Sequence, residues 1–459
     1  MSEQYPYGDD NSAHFAVGVH IAHIFASGEF NFWWHQSNLG VPLFAAYQPL
    51  PSLFLGLLLT LFSGIIAPTI IFKSTVLISW MLMPSLWYKG LRWYGLRILP
   101  SLCIALCTIL IQDPYNIGFG IRSSTIKGLY TQHYGLLFLP LFIGSMKRYL
   151  ANDCPVRTPS IFFALTVMSH LWVGLYAVII VIALFLSNPD KILEWFRKLP
   201  AFILIGTGLI AWWIFPLLLT NDYAGGLPWT REYHNGLPFI KLGRYLISGR
   251  LFDFGRVPLF TILVGVGSII IVHQMKHRFA RHWMVLTVVT CILFLGRTNL
   301  GTMYNLLPMH DQVNVMRYLT GVHICGILAA GIALTGVLKL SGKLGQRVSQ
   351  ICTVATILSI MGVGILDIHS TLRTLKNDES MNQLVSFLTD TEDNRIMVHQ
   401  SLGTGNHFHR DFLPHQTHRA QLQSYAHGYH CTLSTYYAEY FDFSPSACRL
   451  FNVGSIVAR

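Results

Sequence analysis

A chain of 459 residues in which 52% of the side chains are hydrophobic and only 12% charged, with a positive mean hydropathy, lies outside the range of soluble globular proteins. Its formal charge of +11 does not signal nucleic acid, because the Lys and Arg residues sit in short loops between apolar runs, where membrane topology and anionic lipid account for them. Lipid is therefore the solvent for most of the chain; hydrocarbon about 30 Å thick offers no partner to an unpaired amide, so the apolar runs are expected as helices of roughly 20 residues.

The first residues, MSEQYPYGDDNSAH, are polar and acidic and show no signal peptide. Asp9 and Asp10 stand in a Gly-Asp-Asp-Asn turn, followed by His14, His20 and His23 on a weakly amphipathic stretch and then by EFNFWWHQSNLGVPLFAAYQPLPS. Adjacent carboxylates can act as a general base or as hard oxygen ligands for a divalent ion such as Mg or Mn, whereas an isolated Asp-Asp is more often a helix cap and a solvated charge. Asp9 and Asp10 are the candidate metal ligands on this reading.

Apolar runs follow at 51–66, 69–88, 93–111, 134–146, 159–187, 200–219, 257–273, 282–296, 319–338 and 349–368. Five basic clusters, Lys89/Arg92/Arg97, Lys147/Arg148/Arg157, Lys191/Arg197/Lys198, Lys276/Arg278/Arg281 and Lys339/Lys343/Arg347, read as cytoplasmic turns and must share one side. That parity requires the run 159–187 to be two short helices meeting near Ser169/His170, and the run 51–66, which begins PLPSLFLG without a basic flank, to lie in or dip into the outer interface. Residues 1–50, the loops 112–133, 220–256 and 297–317, and everything after 369 then lie outside. The loop 220–256 strains the topology rule with Arg231, Lys241, Arg244, Arg250 and Arg256, which calls either for an anionic ligand there or for a cytoplasmic loop and one span fewer or more.

Asp113, in IQDPYN at the outer end of the third span, is a second acidic candidate, although Asp-Pro is also a routine turn. His170 within an apolar run is costly unless paired or facing a cavity, so a site and a packed histidine beside Trp172 are both open. The tail contains His407/His409, His415/His418 and His427/His430, whose spacings suit a metal, but no Cys or acidic partner completes a zinc pattern, so polar recognition or a plain surface domain fits better. Five cysteines lie in or beside apolar runs as small core residues; Cys431 and Cys448 could pair in an oxidising compartment.

The acidic pair before an amphipathic stretch, then Gly28-x-x-x-x-Trp33, Asn-Leu-Gly-Val-Pro and Tyr-Gln-Pro-Leu-Pro before the first hydrophobic run, resembles the first outer loop of the GT-C superfamily of membrane glycosyltransferases. More narrowly it resembles the prokaryotic membrane family labelled 6-pyruvoyl-tetrahydropterin synthase-related, a label that implies no pterin chemistry. The Ser169/His170 break, the Met316/Arg317 start of a late helix and the ending RLFNVGSIVAR extend the likeness. Members of that family begin with a transmembrane helix before the acidic loop, so the chain is expected to be a fragment lacking that helix, with an incomplete tail.

The resemblance implies a mainly α, GT-C-like polytopic helix bundle over 51–368, an extracytoplasmic first loop over 1–50 and a small α+β extracytoplasmic domain over 369–459. It implies a multi-pass protein of the prokaryotic cytoplasmic membrane that moves a sugar from a polyprenyl-phosphate donor to a glycan, lipid or protein acceptor on the outer face, with inversion. Asp9, Asp10 and Asp113 are then the catalytic candidates, and Arg231, Arg244, Arg250, Arg317 and His170 the substrate-binding ones. A lipid or solute transporter is disfavoured by the scarcity of mid-span ionisable residues and the lack of an internal repeat; a non-catalytic scaffold of the same fold is the other alternative.

Overall fold

A computed structural model describes residues 6, 8–37, 40–44, 47–219, 235–307, 310, 314–343, 345–373, 383, 386–389, 395–398, 421–422, 444–450 and 453–457. Arg231, Cys431 and the histidines from His407 to His430 lie outside these residues. Every apolar run of the sequence is helical: α1 Asn11–Ser27, α2 Leu50–Leu61, α3 Pro68–Tyr94, α4 Ile98–Cys107, α5 Ile121–Thr125, α6 Tyr130–Leu150, α7 Arg157–Ser169, α8 Leu171–Leu186, α9 Ile192–Phe196, α10 Leu199–Leu219, α11 Phe239–Ile247, α12 Leu259–His273, α13 Arg278–Leu300, α14 Leu319–Lys343 and α15 Gln346–Arg373.

The protein is a multi-pass membrane helix bundle, but its spans are uneven. Among the described residues four helical stretches, Pro68–Tyr94, Leu199–Leu219, Arg278–Leu306 and Val315–Lys343, are long and apolar enough to cross a bilayer, and a fifth span forms if Leu171–Leu186 and the following Pro189–Phe196, bent by 92°, act together. The ten runs therefore do not become ten straight spans. At about 1.5 Å per residue the 12 residues of α2 and the 10 of α4 fall well short of the hydrocarbon thickness. Residues 159–187 divide at His170, whose φ of −161° and ψ of 116° leave the helical region between α7 and α8.

α14 forms the centre of the bundle and α10 its periphery: 72% of the apolar window of the first is buried inside the protein, against 22% for the second. Close crossings depend on small residues, as expected where lipid supplies no hydrophobic force between helices. A Cβ on Gly267 of α12 would sit 1.9 Å from the Ala329 carbonyl oxygen of α14, and one on Gly90 of α3 would sit 2.4 Å from the Pro140 carbonyl oxygen of α6. Gly18 of α1 packs on Leu55 and Gly56 of α2 packs on Ile21, so α1 and α2 interlock side by side. α1 is consequently buried from Asn11 to Val19 rather than half solvated.

Two small sheets are present among the described residues. β1 Trp33–Trp34 and β2 Val41–Pro42 pair antiparallel after α1. In the small C-terminal α+β domain β3 Arg395–Val398 lies between β4 Gln421–Leu422 and β5 Val453–Val457, all parallel. Parallel neighbours need crossover connections, and the short helix Pro445–Leu450 leads into β5.

Candidate functional site

The acidic turn is held against the segment between α5 and α6. Asp9 N donates to the Ile126 carbonyl (2.9 Å) and Asp10 N to that of Lys127 (3.2 Å), while Asn11 Nδ2 reaches the carbonyls of Ser124 (3.1 Å) and Thr125 (3.2 Å). Gly128, at φ +74°, lets this contact form, since a Cβ there would lie 2.6 Å from Asp10 N. The two carboxylates then diverge. Asp9 pairs with Lys127 at a half-exposed position. Asp10 precedes the first turn of α1 but makes no side-chain cap hydrogen bond there, and its charge acts on the buried phenol of Tyr47.

Tyr47 is the point where distant elements meet. Burial, and next the charge of Asp10, push its phenol above the ordinary range; contacts with Thr131 and Gln48 and the charge of Arg317 act the other way. Its hydroxyl lies 3.2 Å from Thr131 Oγ1, which also accepts from Gln48 Nε2 at 2.9 Å. His14 stands beside Tyr47 and Tyr130, with ring centroids 5.8 and 5.6 Å away, and burial pushes its imidazole down to about 3. Arg317 and His14 both lie close enough to His170 to act on it electrostatically. His170 Nδ1 accepts from Val173 N (3.4 Å) at the start of α8, so the neutral ring carries its proton on Nε2. Of the sequence candidates, the buried His170 and the half-buried Asp10 and Arg317 thus act on the same group of residues around Tyr47 and His14.

Asp113 occupies a neighbouring but different position. Its Oδ1 accepts from Tyr115 N (2.9 Å) and Ile117 N (3.4 Å) and its Oδ2 from Gly118 N (3.1 Å), so the buried carboxylate organises the turn after α4. That turn faces Gln132, in the first turn of α6, and Gln132 Oε1 accepts from Arg317 Nη1 at 2.9 Å.

Arg244 and Arg250 line a separate open cleft of about 790 Å³ on α11, together with Lys241 and Tyr245. The Tyr245 phenol is lowered chiefly by its contact with Tyr115, and the two rings lie 6.2 Å apart. The cleft thus adjoins the Asp113 turn. Arg256 is committed elsewhere: it pairs with Asp367 of α15 at 3.0 Å and donates to the Leu110 and Phe252 carbonyls.

A divalent ion fits poorly at the acidic pair. Lys127 holds Asp9, Arg317 acts on the group next to Asp10, and among the described residues no three His, Cys, Asp or Glu side chains stand together as ligands. Sequence reasoning passed over Lys127, Thr131 and Gln132. Tyr47 and Gln48 lay in the Tyr-Gln-Pro-Leu-Pro motif without an assigned role, and the one trace of the others is the polar Thr-Gln-His triplet opening an apolar run.

No family model matches the chain, and no curated protein matches it in sequence. Solved structures do. The chain superposes on arabinofuranosyltransferase AftD from mycobacteria with a TM-score of 0.56 at 13% identity, over 86% of this chain and 28% of that one. It superposes on the oligosaccharyltransferase of Archaeoglobus fulgidus, in a structure tethered to an acceptor peptide containing a sequon, with a TM-score of 0.56 at 11% identity, over 98% of this chain and 65% of that one. ArnT from Cupriavidus metallidurans, bound to undecaprenyl phosphate, gives a TM-score of 0.52 at 12% identity, over 99% of this chain and 86% of that one. The chain thus spans little more than a quarter of AftD and just under two thirds of the oligosaccharyltransferase. At these identities the likeness shows the fold alone, a GT-C-like membrane helix bundle.

Proposed function

We propose that the protein transfers a sugar from a polyprenyl-phosphate donor to an acceptor at the outer face of the membrane, by a single inverting displacement. The observation that supports this reading is that a carboxylate, Asp10, and a guanidinium, Arg317, both act electrostatically on Tyr47, whose hydroxyl lies 3.2 Å from Thr131 Oγ1, next to the Gln132 that takes Arg317 Nη1 at 2.9 Å. Asp10 takes the proton of the acceptor hydroxyl, whose oxygen attacks the anomeric carbon. The bond from that carbon to the phosphate oxygen breaks, and the departing polyprenyl phosphate keeps the electron pair. A phosphate leaving group needs charge stabilisation more than protonation, and Arg317 supplies it. Arg244 and Arg250, and Arg231 outside the described residues, are proposed to hold lipid phosphate before it reaches Arg317.

In this reading Asp9 anchors the acidic turn through Lys127, Asp113 shapes the loop behind Arg317, and no metal is required. The acceptor class, whether glycan, lipid or protein, and the narrower likeness to the family labelled 6-pyruvoyl-tetrahydropterin synthase-related belong to the same proposal. Full-length protein in nanodiscs, supplied with a panel of radiolabelled polyprenyl-phosphate sugars and a membrane extract as acceptor source, is expected to form a labelled product. Substrate-dependent uptake into vesicles with no glycosylated product would replace transfer with transport.

A further inference from the structure

We infer that Gln132 is the positioning residue that aims Arg317, and that Asp113 acts on the reaction through Gln132 rather than as a base. The inference rests on the phosphate-binding role proposed for Arg317. Gln132 Nε2 donates to the carbonyls of Ile117 (3.0 Å) and Gly118 (3.2 Å) and lies 3.4 Å from Thr320 Oγ1; Oε1 takes Arg317 Nη1 at 2.9 Å. The amide orientation is fixed by chemistry: carbonyls only accept and a guanidinium only donates, so the NH₂ must face the turn and the oxygen must face Arg317. A side chain that donates at one end and accepts at the other is needed here. Among residues of this length, glutamine alone does so in its ordinary ionisation state.

The carbonyls that Gln132 grips are themselves immobilised. Asp113 collects the N–H groups of Tyr115, Ile117 and Gly118. Phe119 N donates to His323 Nδ1 (3.0 Å) while His323 Nε2 donates to the Leu251 carbonyl (2.7 Å), and a Cβ on Gly118 would fall 2.2 Å from His323 Nδ1. Asp113, Gln132, Thr320 and His323 are each at most 2% exposed. A buried network in which each of these side chains has its partner favours one arrangement, so it holds the guanidinium in one place before any ligand binds.

The experiment is binding of undecaprenyl phosphate to the full-length protein in nanodiscs. Arg317→Ala tests the underlying reading, and is expected to raise Kd by more than tenfold. Gln132→Ala is expected to raise Kd by roughly tenfold, the consequence of losing one hydrogen bond to a charged group, and the double variant should bind no worse than Arg317→Ala alone. Gln132→Glu, which keeps the volume, should bind more weakly than Gln132→Ala, because its carboxylate faces two carbonyls and competes with phosphate for Arg317. A packing role would instead leave Gln132→Glu near wild type. If Arg317→Ala weakens binding while Gln132→Ala does not, or if the two effects add in full, Gln132 does not position Arg317. If Arg317→Ala leaves binding unchanged, the phosphate role falls first and the inference with it.

Discussion

Replacing Asp10 with Asn removes a charge without removing a shape, and the structure says what each half of that change should do. Asn is as good as Asp at the start of a helix, and the Asp10 side chain makes no cap bond there, so the fold should stand. The lost proton acceptor should lower the transfer rate by about 10²- to 10⁴-fold, the usual worth of a positioned general base. Asp9→Asn is the control one residue away. It breaks an ion pair whose partners are 38% and 41% exposed, a contact worth no more than about 1 kcal/mol, or roughly fivefold in any quantity that depends on it. The two variants should therefore differ by at least about 20-fold in the rate of labelled-sugar transfer by nanodisc-embedded protein, with indistinguishable elution profiles in detergent. Transfer by Asp10→Asn within a few-fold of wild type, or a larger loss in Asp9→Asn, would refute the division of labour between the two carboxylates.

Sidedness is open to direct labelling: single cysteines replacing Glu29 and Ser248 should react with an impermeant maleimide from the outer face, and one replacing Glu194 from the inner. Labelling of the first two from opposite faces removes any shared site. Acid should loosen the packing of α1 on Tyr47, Tyr130 and Trp34, which His14 and His20 face. His14 is held neutral down to about 3 and His20 to about 4, against 6.5 in the open chain, so the unfolded state takes up protons that the folded state refuses as pH falls below 6.5. For His14 alone the loss reaches about 2 kcal/mol at pH 5. Thermal stability should drop between pH 7 and pH 5 and drop less in His14→Leu; a flat wild-type profile would contradict the burial argument. Arg256→Gln should remove the charge that pairs with Asp367 and loosen α15, read as earlier proteolysis of α15; unchanged protease resistance would show that the pair is not a tether.

The helices were legible because lipid imposes a length and a composition on them, and the His170 break was legible because basic clusters on one side fix parity. Boundaries were less so. The run read as starting at 134 begins at Tyr130, since the buried Thr131 and Gln132 find partners in Gln48, just before α2, and in the carbonyls of the Asp113 turn. Nothing local separates Asp9 from Asp10: the difference comes from Lys127, 118 residues on, which pairs with Asp9, while the charge of Asp10 acts on Tyr47. Arg256 read as one more cation of a basic outer loop, and only the fold reveals that Asp367 answers its charge. Gln132 carried no signal because an uncharged amide before an apolar run resembles any helix start. Its role exists only once a turn from one side and an arginine from the other close on it.

The placement of the cluster bears on transfer against transport. Asp10 precedes α1, Gln132 lies in the first turn of α6, His170 starts α8, and Arg317 sits in the turn that leads into α14. The starts of four helices thus lie in one region, each bringing the positive end of its dipole there. Such a field, with a guanidinium inside it, favours an anion that gains charge during reaction, as a phosphate leaving group does. A transporter needs its broken helix ends at a point that two halves of the protein expose in turn, and internal repeats to do the exposing. Here every contributor is the end of an element rather than its middle, which supports the proposed transfer over alternating-access transport.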